Sequence, residues 1–524
     1  MAKGREQSDG RDVPEGRRKA VPTAAEQRGG KATTASQQAG QLELFRETAD
    51  SPQGADGGTA TGQPVPAPRA VPKSRSTKGR VLPAMTMQEV ASEENLMEAF
   101  RQVASNKGAP GPDRQSIDEV REHLADVLRA LHRELLDGSY RPGDIRRVWI
   151  PKPGGGQRGL GIPNVVDRIV QQAVHQVLSP QYEPTFHPSS HGFRPGRSCH
   201  TAIAEAQSYL EDGYEWLVDI DLEKFFDRVN HQRLMAKLEQ KVTDRGLLLL
   251  IHQMLKAKVV MPDGVVVSTD EGVPQGGPLS PLLSNIVLDE LDRELGQRGH
   301  RFVRYADDCN IYVRSERAGQ RVMASIRSFI ERRLRLKVNA EKSAVSRPEK
   351  RHFVGFSLRR EPLEGSIEVL LSERSRRRID EKIRELTPRN WGQSLADCIT
   401  GINAYLLGWI GFFGVCSETV ASSSLRDLDK HIRRRLRVLL LRQWKRRRNI
   451  VRRLIRLGGK PKTVIGCVYK GRRSLWALSH TSGVNQSLRN AFFVARGLVS
   501  LEARWRELQT QQAIASAQLA LPLR

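Results

Sequence analysis

Arg304-Tyr305-Ala306-Asp307-Asp308 constrains this chain more than any other stretch. It lies between Phe302-Val303 and Cys309-Asn310-Ile311-Tyr312-Val313. In the second run Cys309, Ile311 and Val313 alternate with Asn310, Tyr312 and Arg314. That period of two predicts a strand. Asp is a poor strand former that favours turns. The stretch therefore reads as a hairpin with two carboxylates at its tip. Adjacent carboxylates repel. Either the tip is a solvated turn, or the pair faces a divalent cation such as Mg²⁺, which hard oxygen ligands on a rigid hairpin suit.

A second acidic stretch, Trp216-Leu217-Val218-Asp219-Ile220-Asp221-Leu222, also reads as a strand. Period two puts Leu217, Asp219 and Asp221 on one face. Acids at the end of a buried strand are expensive unless paired or metal-bound. An Asp there also serves as a cap for the following helix. Upstream, Arg146 to Ile162 predicts a strand, a glycine turn and a returning strand, with Lys152 and Arg158 at the shoulders. Such a basic hairpin can close over a triphosphate or stand as solvated cations. It is not a Walker loop. His191-Gly192-Phe193-Arg194-Pro195-Gly196-Arg197 reads as a basic loop, either solvated or holding a nucleic-acid phosphate where the next helix starts. Pro274-Gln275-Gly276-Gly277-Pro278 is a rigid loop whose glycines admit a ligand or base pair close to the backbone.

Strands interleaved with helices and antiparallel hairpins make this half α+β. From Glu373 the chain becomes helical and basic. Leu395, Ile399, Ile402, Leu406 and Ile410 form one helix stripe, and Leu425, Leu428, Ile432, Leu436 and Leu440 another. Residues 426–460 hold 15 Lys or Arg against 2 Asp, a net +13, half of the chain's +26. One helix with an apolar seam and an arginine-coated outer face predicts contact with backbone phosphates.

That net charge points to a polyanionic partner, nucleic acid or a membrane surface. No run of 18 apolar residues occurs, so no membrane-spanning helix is expected. The N-terminus lacks the apolar core of a secretory signal. The five cysteines are scattered, odd in number and without Cys-x-x-Cys spacing, which argues against a zinc ribbon or disulfide framework and fits a reduced, cytoplasmic setting. Residues 1–80 are polar and rich in Gly, Ala and Pro, and are expected to be disordered. The Leu42–Phe45 island is a short docking helix or a chance cluster. Residues 513–524 are expected to fray.

Asp221, Asp307 and Asp308 side by side give three carboxylates for two divalent ions. Ions about 4 Å apart activate an attacking 3′-hydroxyl and stabilise the departing oxygen. With Lys152 and Arg158 on the triphosphate, that chemistry is nucleotidyl transfer.

These blocks resemble the group II intron reverse transcriptases, the intron-encoded maturases of bacteria. The matching residues are Ile150-Pro151-Lys152-Pro153 to Arg158–Pro163, His191–Pro195, Asp221–Asp227, Pro274–Pro281 and Tyr305–Asp308, in the family's order. Gly408-Trp409 and Arg433-Arg434-Arg435 resemble its thumb, the maturase domain. The resemblance implies an α+β right-hand polymerase with fingers and palm over 81–365, followed by an all-helical thumb/maturase domain over 366–460. A small basic module, with DNA binding as its expected role, fills 461–524.

It implies two Mg²⁺ ions, with Mn²⁺ as an alternative, on Asp221 rather than Asp219 and on Asp307 and Asp308. It places Lys152, Arg158 and Gln275 on the nucleotide, with Arg146 on template or nucleotide. Phe225, with Phe226 beside it, is the expected gate against a ribose 2′-hydroxyl. Arg433, Arg434, Arg437, Lys445, Arg446 and Arg447 are the expected nucleic-acid contacts.

The implied partners are a group II intron RNA, an RNA template with DNA primer, target DNA and deoxynucleoside triphosphates, without a membrane. The implied place is the bacterial cytoplasm, with the nucleoid or a ribonucleoprotein. The implied activity is RNA-directed DNA synthesis with assistance to intron splicing and retrohoming. The alternatives are a non-catalytic splicing cofactor and a domesticated enzyme of defence or repair. Beyond residue 460 there is one Cys, Cys467, and one His, His480, too few for the zinc-bearing His-Asn-His nuclease many family members carry, so no endonuclease activity is expected.

Overall fold

The computed structural model describes residues 84–151, 155–388, 392–470 and 474–520, the last six of these by backbone alone. The segment expected to be disordered, the Leu42–Phe45 island and Lys152 lie outside the described residues.

The centre is a four-stranded antiparallel sheet in the order β6-β7-β3-β8. Its strands are β3 (Trp216–Ile220), β6 (Arg301–Tyr305), β7 (Asp308–Val313) and β8 (Ala344–Ser346). Successive side chains of a strand point to opposite faces, and here each face feeds a different core. Val218, Ile220, Phe302, Cys309, Ile311 and Val313 join a core with the Glu93–Ser105, Val165–Tyr182 and Ser280–Gln297 helices. Leu217, Val303 and Tyr312 join a second core with the Cys199–Glu211 helix and the C-terminal half. Asp219 and Asp221 share parity with Leu217, so they project on the second side.

A smaller sheet, β2-β1-β4-β5, contains β1 (Ile145–Pro151), β2 (Gln157–Ile162), β4 (Val259–Val260) and β5 (Val266–Val267). Upstream, the helical apolar spacing through Val90, Leu96, Ala99, Phe100 and Val103, and again through Ile117, Val120, Leu124, Val127, Leu128 and Leu131, predicts two helices, and each is split. Ser92 ends Met87–Ala91, and its hydroxyl accepts from Asn95 N (3.3 Å) to cap Glu93–Ser105. His123 leaves helical geometry (φ −115°, ψ 24°) between Ile117–Glu122 and Leu124–Leu136.

Past a two-stranded ribbon, β9 (Phe356–Arg360) with β10 (Ile367–Leu371), the chain is helical. Leu395–Phe413 is long and apolar enough to cross a membrane by length and composition, contrary to expectation. Its Ile399, Ile402, Leu406, Trp409, Ile410 and Phe413 are instead buried in the second core. The expected single helix over 426–460 is two, Arg426–Gln443 and Arg447–Arg456, broken where Lys445 turns left-handed (φ 57°). The break lets Ile450 and Leu454 enter the core from a new direction.

Packing continues across residue 460. Val464, Val484, Leu488, Phe493, Leu501 and Trp505 lie in the same core as the thumb helices. Asp429 also accepts from Ser500 Oγ (2.6 Å) and Leu501 N (2.9 Å) at the start of the Leu501–Ala520 helix. The expected frayed end is thus helical to residue 520.

Candidate active site

β6 and β7 pair in register, Tyr305 opposite Asp308 and Arg304 opposite Cys309, leaving a two-residue turn of Ala306 and Asp307. Ala306 takes φ 57°. β7 also pairs with β3, Ile220 opposite Cys309 and Asp219 opposite Asn310. That register carries Asp308 to the face of Asp219 and Asp221. The structure therefore brings Asp221 and the Asp307–Asp308 tip to one end of the central sheet.

Four carboxylates meet there, and they are not equivalent. Asp219 is buried and paired to Arg351, whose Nε lies 2.6 Å from Oδ2. Asp221 is partly exposed, with Lys342 Nζ 3.5 Å away. Its backbone is held by Ser343 Oγ (3.0 Å) and Asn339 N (2.8 Å). Among the described residues neither Asp307 nor Asp308 is paired with a cation. Burial, then the negative charges of Asp219, Asp307 and Asp221, push the Asp308 carboxyl well above the ordinary range.

Such a site is short of positive charge, which is the condition a divalent ion relieves. Among the described residues no three His, Cys, Asp or Glu side chains are grouped as a ready metal site. Mg²⁺ does not require one, because it retains waters and phosphate oxygens beside one or two carboxylates. The donor set fits Mg²⁺.

The turn rests on residues that sequence reading missed. Arg304 is fully buried and paired with buried Asp292. Ser190 bridges to Arg304 in parallel, with His191 N to Arg304 O at 2.8 Å and Arg304 N to Ser189 O at 2.9 Å. This adds a short strand segment to the sheet edge. The signals were a cation in phase with Phe302 on the core face and an acid, Asp292, within the Leu288, Leu291, Leu295 stripe.

The His191–Arg197 loop is exposed only at Pro195 and Gly196, and Arg194 turns inward rather than toward a phosphate. That guanidinium is buried, and bonds Glu183 Oε1 (2.9 Å) and the carbonyls of His187 (2.7 Å) and Ser190 (2.8 Å). His191 meets Thr201 (2.8 Å) and Glu205 (2.7 Å).

The β1–β2 register places Arg146, Val148, Ile150, Arg158 and Leu160 on one face. Arg147 and Trp149 take the other, with Arg147 stacked near Trp149 and bonded to Gly159 O (3.1 Å). The Gln275 loop docks on this hairpin, since Gly161 N donates to Gln275 O (2.7 Å). Gly276 (φ 130°) lies so close that a Cβ would sit 2.4 Å from Gly161 O. Gln275 Oε1 and Arg146 Nε are buried without a partner. Phe225 and Phe226 are both buried in the first core, rings 5.2 Å apart.

The thumb cations divide. Arg434 stacks on Trp476 (3.9 Å) and donates to its carbonyl (3.2 Å). Arg437 donates twice to Leu488 O (3.1 and 2.9 Å), and burial pushes its guanidinium down to about 10. These two are half-buried and anchor the C-terminal helices. Arg433 is half-buried, while Lys445, Arg446 and Arg447 are exposed.

Residues 150–358 match the family model for reverse transcriptase (RNA-dependent DNA polymerase). Residues 376–455 match the group II intron, maturase-specific domain. Protein YkfC of Escherichia coli (strain K12) is 36% identical over 296 residues, 49% of this chain and 77% of that protein. This chain belongs to the group II intron reverse transcriptases.

The reverse transcriptase is also 27% identical over 368 residues to the group II intron-encoded protein LtrA of Lactococcus lactis subsp. cremoris, 55% of this chain and 60% of LtrA. It is 27% identical over 329 residues to the putative COX1/OXI3 intron 2 protein of Saccharomyces cerevisiae, 51% of this chain and 38% of that protein. The α+β polymerase with a helical thumb that the sequence implied is the architecture of this reverse transcriptase. The matched polymerase segment contains Asp221, Asp307, Asp308, Gln275 and Arg158, and Lys152 by sequence.

Proposed function

We propose that Asp221, Asp307 and Asp308 hold two Mg²⁺ ions, with Mn²⁺ able to replace them, for RNA-templated DNA synthesis from deoxynucleoside triphosphates. The observation that carries this reading is the uncompensated Asp307–Asp308 tip beside Asp221. Ions bound there supply activation of a primer 3′-hydroxyl and neutralisation of charge on the triphosphate. Asp219 is not a ligand in this reading, because Arg351 already answers its charge.

Arg158 and Arg146 share the hairpin face that we assign to the nucleotide and template, with Lys152 assigned there by its place in the sequence. Gln275 offers its unpartnered side-chain oxygen beside them. Phe225 is assigned to the sugar gate, where its buried ring, packed against Phe226, would resist an added 2′-hydroxyl.

The thumb and C-terminal helices are assigned to nucleic-acid backbone, with the host intron RNA as partner in splicing and retrohoming and target DNA as the second. No Asp or Glu occurs between Asp429 and Glu502. Lys445, Arg446 and Arg447 therefore stand in a field of one sign, with Arg448, Arg452 and Arg456 exposed near them. The proposed setting is the bacterial cytoplasm.

The test is primer extension on an RNA template by the Asp221→Asn and Asp307→Asn proteins, with intron-RNA binding and splicing measured in parallel. DNA synthesis is expected to vanish while RNA binding and splicing persist. Synthesis by Asp307→Asn at the native rate refutes the metal assignment. Loss of splicing by a folded variant refutes the separation of the two roles.

A further inference from the structure

Arg304 is the largest side chain that is fully buried. Removing a guanidinium from water is costly unless each of its five donors is met. All five are. Asp292 accepts from Nε (2.7 Å) and Nη2 (2.6 Å), Asn285 Oδ1 (3.0 Å) and Ala306 O (2.7 Å) accept from Nη1, and Ser190 Oγ (2.7 Å) accepts from Nη2. Asp292 outweighs the opposing effect of burial and raises the guanidinium's affinity for its proton. A buried ion pair is weak evidence of stabilisation, since apolar residues of similar volume often serve as well. The geometry of the partners is more informative.

They come from three separate parts of the site. Asn285 and Asp292 lie two turns apart on the Ser280–Gln297 helix. That helix begins at the end of the Gln275 loop, and Ser280 Oγ donates to Pro274 O (2.6 Å). Ser190 lies in the segment added to the edge of β6. Ala306 O belongs to the turn that carries Asp307. Asn285 closes the circuit by donating to Gly192 O (2.9 Å), and Gly192 lies against Ala306.

We infer that Arg304, held by Asp292, Asn285 and Ser190, is a positioning residue. It fixes the Ala306–Asp307 turn, and so the metal-binding carboxylates, relative to the helix that follows the Gln275 loop. The inference rests on the metal assignment made above. Arg304 touches no substrate and acts through the turn, as outer groups that orient metal ligands do.

The test uses Ser190→Ala and Asn285→Ala in the full chain, both of which leave the Arg304–Asp292 pair intact. Mn²⁺ binding is read by electron paramagnetic resonance in the absence of nucleotide. Amide exchange is read at residues 306–308, and single-nucleotide extension gives kcat and KM. Folded variants are expected to need about 10-fold more Mn²⁺ for half-saturation and to lose about 10- to 100-fold in kcat, with KM for the nucleotide little changed. Exchange in the turn is expected to accelerate.

Native Mn²⁺ affinity and native exchange in both variants overturn the inference, as does a kcat loss that only follows loss of fold. Asp307→Asn separates the two levels. If it binds Mn²⁺ normally, the metal assignment fails. If it does not, and the two alanine variants do, only the positioning role fails.

Discussion

Gly192→Ala gives the sharpest test of how closely the carboxylate turn is held. A Cβ at residue 192 would sit 2.2 Å from Ala306 N and 3.0 Å from both Ala306 Cα and Tyr305 C. All three are backbone atoms, so no side chain can rotate away. Restoring ordinary contact near 3.5 Å requires roughly 1.3 Å of opening. The His191 N and Arg304 N bonds (2.8 and 2.9 Å) tie residues 189–191 to β6. Either those bonds break or the turn moves, and the turn carries Asp307 and Asp308. A displacement near 1 Å costs about 100-fold in rate where alignment matters. Overpacking costs about 1–3 kcal/mol in stability.

The assay is single-turnover primer extension with thermal melting. The control is Gly466→Ala on the Pro461–Tyr469 helix, where a Cβ meets nothing within 4 Å. That variant should keep its rate and gain about 0.4–1 kcal/mol. Native extension and native melting by Gly192→Ala would refute the reasoning, because the packing that fixes the turn would then be soft.

The thumb cations are expected to respond in two ways. Neutralising Arg446 and Arg447 to Gln should weaken RNA binding and flatten its salt dependence without changing melting. The log–log slope should fall by about 0.7 for each single-strand phosphate that the protein no longer neutralises. Arg437→Gln should instead lower melting, by about 1–3 kcal/mol, by leaving the carbonyl of buried Leu488 unmet, and Arg434→Gln by less, because Ser479 Oγ still donates to Trp476 O (2.8 Å); equal salt slopes for the two pairs would contradict this division. Burial, then Arg374 and Arg378, push the His352 imidazole down to about 4, from an ordinary value near 6.5. The unfolded chain takes up that proton first, so stability should fall as pH drops from about 6.5 to 4, by roughly 3 kcal/mol over the window. His352→Gln keeps a polar partner for Ser372 Oγ but cannot titrate, so its acid-side melting curve should be flatter; an unchanged slope would count against the assignment.

The hairpin, the acidic strand and the helix stripes were legible because each is a local periodicity. Alternation at 309–313 and 216–222 set the faces of the strands, and the register then followed. The stripe from Leu395 to Ile410 likewise marked a real buried face. The breaks at Ser92, His123 and Lys445 were less legible, since the apolar spacing runs on through them. Capping at Ser92 and the demand that Ile450 and Leu454 reach the core override that spacing.

Charge is where the sequence alone reaches its limit. It determined that two Asp lie at a hairpin tip, that a third ends a neighbouring strand, and that the basic residues gather after 426. It did not distinguish Asp219 from Asp221, or Arg437 from Arg447, because paired and free charges look alike along a chain. Tertiary structure decided these. Arg351 reaches Asp219 across 132 positions, and Leu488 O reaches Arg437 across 51. Arg304 finds its acceptors on the side chains of Asp292, Asn285 and Ser190 and on the turn carbonyl of Ala306. A charge in water is cheap and a buried charge must be matched by what the fold brings to it. Which charges remain to meet metal and nucleic acid is therefore settled only when the distant parts of the chain come together.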